Sequence, residues 1–194
     1  MEAQQNKLAG EYYLQGVMET ASGFKLNPDS GFQFFFSYGA LDRQGEGTWT
    51  VKNNRVIFNS RPHPGKDFAL TSGNRMGTDS ITIQIMDKNP VLLSHVYCLL
   101  QSGEKRSQQV SDKQGLIRFP KQAADSISLI FEFCPERTSV FTGLDPTYDH
   151  FEFRFEPWLM EVFFFNFSMD IAGQDLKGPH PLLRKASYNF VKNK

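Results

Sequence analysis

Residues 24–59 read FKLNPDSGFQFFFSYGALDRQGEGTWTVKNNRVIFN, and this stretch decides the fold class. Residues that favour turns divide it at three places, which are 27–31, 42–45 and 53–54. Between the first two turns, aromatic residues recur at every second position, so one strand directs four rings to a single face: Phe32, Phe34, Phe36 and Tyr38. The pattern predicts successive antiparallel β-strands around an aromatic core.

The length and composition suit a β-protein with a large core. The chain has 194 residues, of which 40% are hydrophobic and 19 are Phe, which is enough for one large β-domain or two small ones. Lys plus Arg and Asp plus Glu balance at 21 each, without a long run of one sign. Nucleic-acid-binding proteins have a basic stripe, so we expect no nucleic-acid partner.

The hydropathy pattern predicts no membrane span, because no segment has the roughly 18 consecutive apolar residues that a transmembrane helix needs. The first residues, MEAQQNKLAG, lack the charged and apolar regions of a secretion signal. The chain as given is therefore expected in the cytoplasm. A periplasmic or secreted location is the alternative if a leader was removed upstream.

The two cysteines, Cys98 and Cys134, are too few for a disulfide scaffold and, without histidines, too few for a structural zinc site. In the strand predicted at 127–133, the apolar face is formed by alternate residues that begin at Ile127, and Cys134 falls on the opposite face. We expect a buried thiol at Cys98 and a partly exposed thiol at Cys134. A disulfide between them is the alternative.

The remainder of the chain also predicts strands. No window longer than about ten residues keeps helical spacing, so we expect little helix. Strands after residue 59 are predicted at 81–86, 91–101, 127–133, 150–156, 162–169 and 186–191, with a hairpin that joins 108–111 to 116–119.

The turn at 87–90 is the predicted boundary between two modules. Residues 1–87 are expected to form an antiparallel meander or partial barrel, and residues 88–194 a β-sandwich packed with it. In an alternative arrangement, the strands at 162–169 and 186–191 pack back on the N-terminal half, and two independent folding units are then too simple a description.

Two parts of the chain resemble known β-proteins. Residues 8–59, with GEYYL, LNPDSGFQFFFSYGALD and GTWTV, resemble small bacterial lipocalin-like proteins that run Gly-x-Tyr, Leu-x-Pro-Asp-Gly-x-Phe and Gly-x-Trp, although Ser30 is inserted here. Residues 90–134, with PVLLSHVYCLL, SDKQGLIRF and SISLIFEF, resemble carboxypeptidase-regulatory-like or transthyretin-like sandwiches. The resemblances imply architecture rather than an activity, and many such modules are non-catalytic.

Residues 60–79 break the strand pattern with two prolines and three glycines, and a short strand near 68–70 is the regular structure expected there. Long loops in compact domains are often functional. With Arg61, a cluster of His63, Lys66 and Arg75 could bind a small anion or carboxylate. A solvated loop is the alternative.

Aromatic residues give further binding candidates. Trp49 is a candidate ligand-binding residue, since with Phe32 and Phe34 it would line the cavity of a lipocalin-like carrier. An exposed platform for a sugar or another ligand, or alternatively packing in the core or rim, is predicted for three other residues: Tyr13, Tyr148 and Trp158.

The cluster that most resembles a metal or acid–base site is formed by Asp145, Asp149 and His150. No helix aligns these residues, and Asp145-Pro146 is typical of a turn, so a turn followed by a strand is the competing interpretation. His95 is expected in the interior, and His180 in a turn between two prolines.

The sequence as a whole favours a non-catalytic binding or interaction module. It contains no Gly-x-Ser-x-Gly elbow, and we expect no cofactor and an unknown small ligand or protein as partner. One alternative is a lipocalin-like carrier of a small apolar ligand. Another is a hydrolase or lyase that uses Asp145, Asp149 and His150. The oligomeric state is left open.

Overall fold

The computed structural model describes residues 7–39, 41–185 and 187–193. Regular structure in this part of the chain is almost all β-strand, with a 3₁₀ turn at Pro90–Leu92. The prediction of an all-β fold with little helix is confirmed. Ala186, the first residue of the last predicted strand, and the first six residues of the chain lie outside the described residues.

The strands are numbered in chain order. They are β1 (Gly10–Leu14), β2 (Thr20–Leu26), β3 (Gly31–Tyr38), β4 (Leu41–Lys52), β5 (Arg55–Asn59), β6 (Phe68–Asn74), β7 (Ser80–Met86), β8 (Val96–Ser102), β9 (Lys105–Val110), β10 (Leu116–Pro120), β11 (Ser126–Phe131), β12 (Ser139–Thr142), β13 (His150–Phe155), β14 (Phe167–Ala172), β15 (Asp175–Gly178) and β16 (Tyr188–Lys192).

Eight strands of the described residues close into an antiparallel barrel. The N-terminal meander forms β1 to β5, in which each strand pairs with the next. The C-terminal strands complete the circle, because β14 pairs with β5 and β16 pairs with β1. The expected partial barrel is therefore a closed one, and it has no free sheet edge.

Aromatic rings fill the interior of the barrel. The Phe24 ring lies at its centre, with centroid distances of 4.6 Å to Phe58, 4.9 Å to Phe34 and 5.3 Å to Phe190. Trp49 is fully buried beside them and donates a hydrogen bond to the Asn27 carbonyl oxygen at 3.0 Å. Barrels of this size have an interior that side chains can just fill, so the period-two aromatic pattern of β3 serves core packing.

Two four-stranded sheets, counted over the residues that the structure describes, form a separate β-sandwich. One has the order β10-β7-β13-β6, in which β7 and β13 are parallel, and the other has the order β12-β11-β8-β9. Rings from the two sheets contact each other, Phe131 with Phe155 at 5.2 Å and Phe141 with Phe153 at 4.7 Å.

The chain divides into two compact units, Met1–Pro64 with Met160–Lys194, and Gly65–Leu159. The sandwich is thus inserted between β5 and β14 rather than placed after the barrel. The predicted boundary near residue 87 falls inside the second unit, because β13 pairs with both β6 and β7. β14 pairs with β5 and β16 pairs with β1, which is the arrangement of the alternative in which the C-terminal strands pack back on the N-terminal half.

Five local predictions are wrong. The expected strand at 162–169 begins only at Phe167. The expected turn at 42–45 lies within β4, the expected strand at 91–101 begins only at Val96, and 60–79 contains the whole of β6. Residues 108–111 and 116–119 do not form a hairpin, since β9 pairs with β8 and β10 pairs with β7. Residues 42–45 stay in β4 because they pair with the neighbouring β3, and a 3₁₀ turn at Pro90–Leu92 precedes β8. β6 and β10 pair with strands that lie farther away in sequence, and the local pattern does not reveal those pairings.

Both cysteines are buried, and neither forms a disulfide. The expected partial exposure of Cys134 is wrong because its Sγ packs inward and lies 3.1 Å from the Leu159 carbonyl oxygen. Burial raises the pKa of the Cys98 thiol, which keeps it protonated and unreactive. The alternative of a disulfide between them does not hold.

Candidate ligand-binding groove

Two rows of residues cross the outer face of the barrel, where β1, β2, β3 and β4 lie side by side. Strand register fixes the first row as Glu11, Lys25, Gln33 and Glu46. The second row, two residues along each strand, is Tyr13, Gly23, Phe35 and Gln44. Alternate residues such as Phe24 and Phe34 are buried in the core, so both rows face outward.

The second row forms an aromatic platform. Gly23 has no side chain, and the Phe35 ring occupies the space above it, since a Cβ at Gly23 would lie 2.8 Å from Phe35 Cε1. The Tyr13 ring meets the Phe35 ring at a centroid distance of 6.1 Å and an angle of 62°. Tyr13 and Phe35 remain 38% and 39% exposed, so a ligand can contact both rings.

A pocket of about 470 Å³ lies over this platform and the polar row beside it. Glu11 accepts a hydrogen bond from the Tyr13 hydroxyl at 2.8 Å and lies 3.7 Å from Lys25 Nζ. The hydrogen bond to Glu11, with smaller effects of desolvation and of the carboxylate charge, raises the pKa of Tyr13. Tyr13 therefore stays a neutral hydroxyl at physiological pH. The volume lies in the range of small-molecule sites.

The segment 161–164 forms the far wall of the pocket. It runs beside β4, where the Val162 N–H donates to the Gln44 carbonyl oxygen at 2.7 Å. Gly45 permits this approach, because a Cβ there would lie 2.5 Å from the Val162 carbonyl oxygen. The segment brings the Glu161 carboxylate to the groove, where Arg61 Nη2 donates to it at 2.7 Å.

A second pocket, of about 390 Å³, continues the first. Both pockets are lined by Gln33, Glu46 and Glu161. The second extends to Arg61 and Phe163, whose guanidinium carbon and ring centroid are 5.2 Å apart. We call the two together the outer groove; it belongs entirely to the barrel unit.

The predicted ligand-binding residues lie in different surroundings. Trp49 is enclosed in the barrel core, and the His63 ring packs edge-on to Phe163 at 4.7 Å. In the sandwich unit, Lys66 Nζ lies 4.3 Å from the centre of the Phe141 ring, and Arg75 is exposed between β6 and β7. Two of the four contact residues of the outer groove: His63 contacts Phe163, and Trp49 donates to the Asn27 carbonyl oxygen from inside the core.

The acidic cluster that the sequence suggests is divided among separate structural roles. Asp145 accepts hydrogen bonds from the N–H and hydroxyl of Thr147, which lower the pKa of Asp145. The buried Asp149 carboxylate accepts the backbone N–H groups of Met76 and Thr78 at 2.6 and 3.0 Å, and these bonds lower its pKa.

His150 completes the predicted cluster with a different set of partners. Its Nδ1 lies 2.7 Å from the Thr82 hydroxyl, and its Nε2 lies 3.5 Å from Glu152. Among the described residues, no three His, Cys, Asp or Glu side chains are grouped so as to hold a metal ion.

Two of the three predicted platform aromatics, Tyr148 and Trp158, are half-buried and lie in the sandwich unit. Tyr148 lies against Gly73 and near Phe151, and Trp158 donates from Nε1 to the Lys66 carbonyl oxygen at 3.1 Å. Tyr13 is the member of the predicted set that lines the outer groove.

The two remaining histidines differ from expectation in their burial. His95, expected in the interior, is 29% exposed and contacts Glu132 at 2.7 Å. His180, expected in a turn, is buried within the barrel among aromatic rings that include Phe36 and Phe190. Neither histidine lines the outer groove.

Comparison of the chain with protein-family models, with curated proteins and with solved structures gives no match. The resemblances to lipocalin-like and transthyretin-like proteins therefore stay predictions. In the part of the chain that the structure describes, no helix has the length and apolar character needed to cross a bilayer.

Sequence reasoning missed most of the outer groove. Phe35 and Gln33 occupy outward positions of the strand predicted at 32–38, so period-two alternation is the signal that could identify them. Glu46 directly follows the turn expected at 42–45, where the structure instead continues β4. Glu161 could not be found this way, because a pairing with Gln44, distant in sequence, brings it to β4.

Proposed function

We propose that the protein is a non-catalytic binding module whose ligand occupies the pocket above Tyr13 and Phe35. The observation that supports this most directly is the half-exposed ring pair over Gly23, bordered by a row of polar side chains. An apolar surface with a few positioned polar groups is the usual composition of a small-molecule site.

Two of the groove's three acidic side chains are engaged in ways that suit binding rather than proton transfer. Glu11 is held by Tyr13 and Lys25, and Glu161 is held by Arg61. These contacts fix the carboxylates as acceptors at defined positions. A ligand can then be oriented without a large rearrangement, which lowers the entropic cost of binding.

Nuclear magnetic resonance (NMR) titration of the isotope-labelled protein tests the proposal. The ligand panel contains four classes: methyl glycosides, small carboxylates, alkyl amines and a fatty acid. We expect one class to shift the signals of Tyr13, Phe35 and their neighbours. Phe35→Ala and, separately, Tyr13→Ala should weaken that ligand at least about tenfold, which is about 1.4 kcal/mol.

The matched control is Tyr38→Ala, which removes an exposed aromatic residue of β3 that lies outside the pocket lining. It should leave the affinity unchanged. Fatty-acid shifts confined to the core around Trp49 would instead support a carrier. Shifts at Asp145 and His150, or no binding by any class, would also overturn the proposal.

A further inference from the structure

We propose that the outer groove binds a linear, uncharged oligosaccharide that lies along β4 from the Tyr13–Phe35 platform to Phe163. The inference rests on the proposed function and goes further, because it names the ligand class and a second contact region. It depends on three observations, which are the continuity of the two pockets, the aromatic residues at both ends, and the donors and acceptors between them.

The two pockets form one path. Gln33, Glu46 and Glu161 line both pockets, so the two pockets are adjacent and meet at these three residues. Along β4 the lining extends from Gln44 to Thr48. Four steps at about 3.3 Å per residue give about 13 Å, which is longer than one six-membered sugar ring. A chain of rings fits this length better than a monosaccharide.

Each end of the path has an aromatic surface. Tyr13 and Phe35 form the first, and Phe163 forms the second. Contacts with Arg61 at 5.2 Å and with His63 at 4.7 Å hold the Phe163 ring. An aromatic face attracts the polarised C–H groups on one side of a sugar ring through the negative charge of its π-system.

The middle of the path mixes hydrogen-bond donors and acceptors. Glu46 and Glu161 supply carboxylate oxygens, Lys25 and Arg61 supply N–H donors, and the Gln33 amide supplies both. Every sugar hydroxyl is at once a donor and an acceptor, so an uncharged polyol can satisfy all of these groups together.

Other ligand classes fit this lining less well. An anion would face the carboxylates of Glu11, Glu46 and Glu161. An alkyl chain would leave the same groups desolvated without partners, which is costly. A multivalent cation would be repelled by the positive charges of Lys25 and Arg61. It would also have to compete with these two side chains for the carboxylates of Glu11 and Glu161, with which they are paired. An uncharged polar chain avoids all three penalties.

Calorimetry with chain-length series tests the inference. The probes are neutral gluco-, xylo-, manno- and galacto-oligosaccharides of one to four sugars, with NMR mapping of the series that binds. We expect affinity for one series to rise at least about tenfold from the monosaccharide to the trisaccharide or tetrasaccharide. The added sugars should shift signals of Arg61 and Phe163.

Two neighbouring variants separate the ends of the groove. Phe163→Ala should remove the gain with chain length, whereas Phe35→Ala should weaken every member of the series. Phe165→Ala is the matched control, since this ring two residues away is 88% exposed and lies outside both pocket linings. Glu46→Ala should weaken the longer chains without removing a packed ring.

The outcomes distinguish this inference from the proposed function. If a ligand binds at Tyr13 and Phe35 but its affinity neither rises with chain length nor depends on Phe163, the oligosaccharide inference is overturned and the binding module stands. Binding of amines or carboxylates at those residues in place of sugars also overturns the oligosaccharide inference alone. No signal shift at either end of the groove with any probe overturns both.

Discussion

His180 shows how a single buried residue can be satisfied by a defined set of hydrogen bonds. Its Nδ1 accepts the N–H groups of Leu182 and Leu183 at 3.0 and 3.1 Å. Nδ1 therefore bears no proton, and the neutral tautomer has its proton on Nε2. That nitrogen donates to the Ser22 hydroxyl at 3.0 Å, which in turn donates to the Phe35 carbonyl oxygen at 2.8 Å.

The neutral state of His180 makes the barrel sensitive to acid. Burial lowers the pKa of His180 to about 4 from its ordinary value of 6.5, so the unfolded chain takes up the proton before the folded one does. Stability from this residue is complete above about pH 6.5 and is lost as the pH falls towards about 4, by about 3 kcal/mol in all. Urea unfolding at about pH 7.5 and about pH 4.5 measures the loss.

The control for this prediction is His180→Gln, which has no titratable group. It should have a lower stability at neutral pH but a shallower decline between the two pH values. An equal decline in both proteins would show that other groups cause the acid sensitivity. The carboxylates of Asp145 and Asp149, whose pKa values are lowered, lose their contribution at a lower pH and so do not produce the same window.

A buried ion pair gives a second prediction at the scale of residues. Arg137 Nε donates to Asp67 Oδ2 at 2.6 Å, and the two side chains are 17% and 4% exposed. Asp67→Ala leaves Arg137 enclosed without this counter-charge, which should cost about 3–5 kcal/mol. Urea unfolding followed by NMR signals of residues 65–159 measures the cost.

An exposed ion pair with similar geometry is the comparison. Arg55 Nε lies 2.7 Å from Asp170 Oδ1, but these side chains are 55% and 59% exposed. Asp170→Ala should cost less than about 1 kcal/mol, measured on the barrel unit. Similar losses for the two substitutions would show that burial does not govern the difference. Asp67 lies within residues 60–79, which the sequence predicts to be mostly loop, so a large loss would show that this segment contributes to the stability of the fold.

At the scale of elements, β4 depends on a glycine that the sequence pattern assigns to a turn. A Cβ at Gly45 would lie 2.5 Å from the Val162 carbonyl oxygen and 2.8 Å from Phe164 Cε2. Gly45→Ala should therefore push the segment 161–164 away from β4 and cost about 1–3 kcal/mol in the unfolding free energy of the barrel. Thermal and urea denaturation measure this.

Gly173→Asn is the matched control for Gly45→Ala. Gly173 has a φ of 70°, which Asn tolerates better than most residues, and open space where the side chain would go. It should change stability by about 0.5 kcal/mol or less. If Gly45→Ala is equally harmless, segment 161–164 does not need the close approach to β4, and the far wall of the outer groove is less fixed than we infer.

Local patterns predicted those elements whose structure is determined locally. The alternation of Phe32, Phe34 and Phe36 predicted β3 and its buried face, because adjacent residues of a strand face opposite sides. The outward residues of the same strand, Gln33, Phe35 and Ser37, could be assigned to the opposite face by the same alternation. Their arrangement into a groove could not, because it depends on the register of β1 to β4 and on the pairing of Gln44 with Glu161.

At the scale of the whole molecule, the sequence order of strands does not match their grouping in space. The barrel is interrupted after β5 by the sandwich and resumes at β14. The sequence pattern alone places a domain boundary at the turn near residue 87, because that turn separates two groups of predicted strands. It cannot show that the barrel resumes at β14, because nothing local distinguishes β13, which belongs to the sandwich, from β14, which closes the barrel. Long-range strand pairing is the information that a local pattern lacks.

Fragments of the chain test this division. Residues 65–159 contain both sheets of the sandwich and its ring contacts, so this fragment should fold alone and unfold cooperatively. Residues 88–194, the predicted C-terminal domain, lack β6 and β7, both partners of β13. They also contain β14 without β5, its partner in the barrel. This fragment should be largely unfolded in NMR and circular dichroism spectra.

The matched N-terminal pair compares residues 1–87 with residues 1–64 joined through a flexible linker to 160–194. The first should fail to close a barrel, and the second should form one. A folded 88–194 fragment beside an unfolded 65–159 fragment would contradict the inserted arrangement.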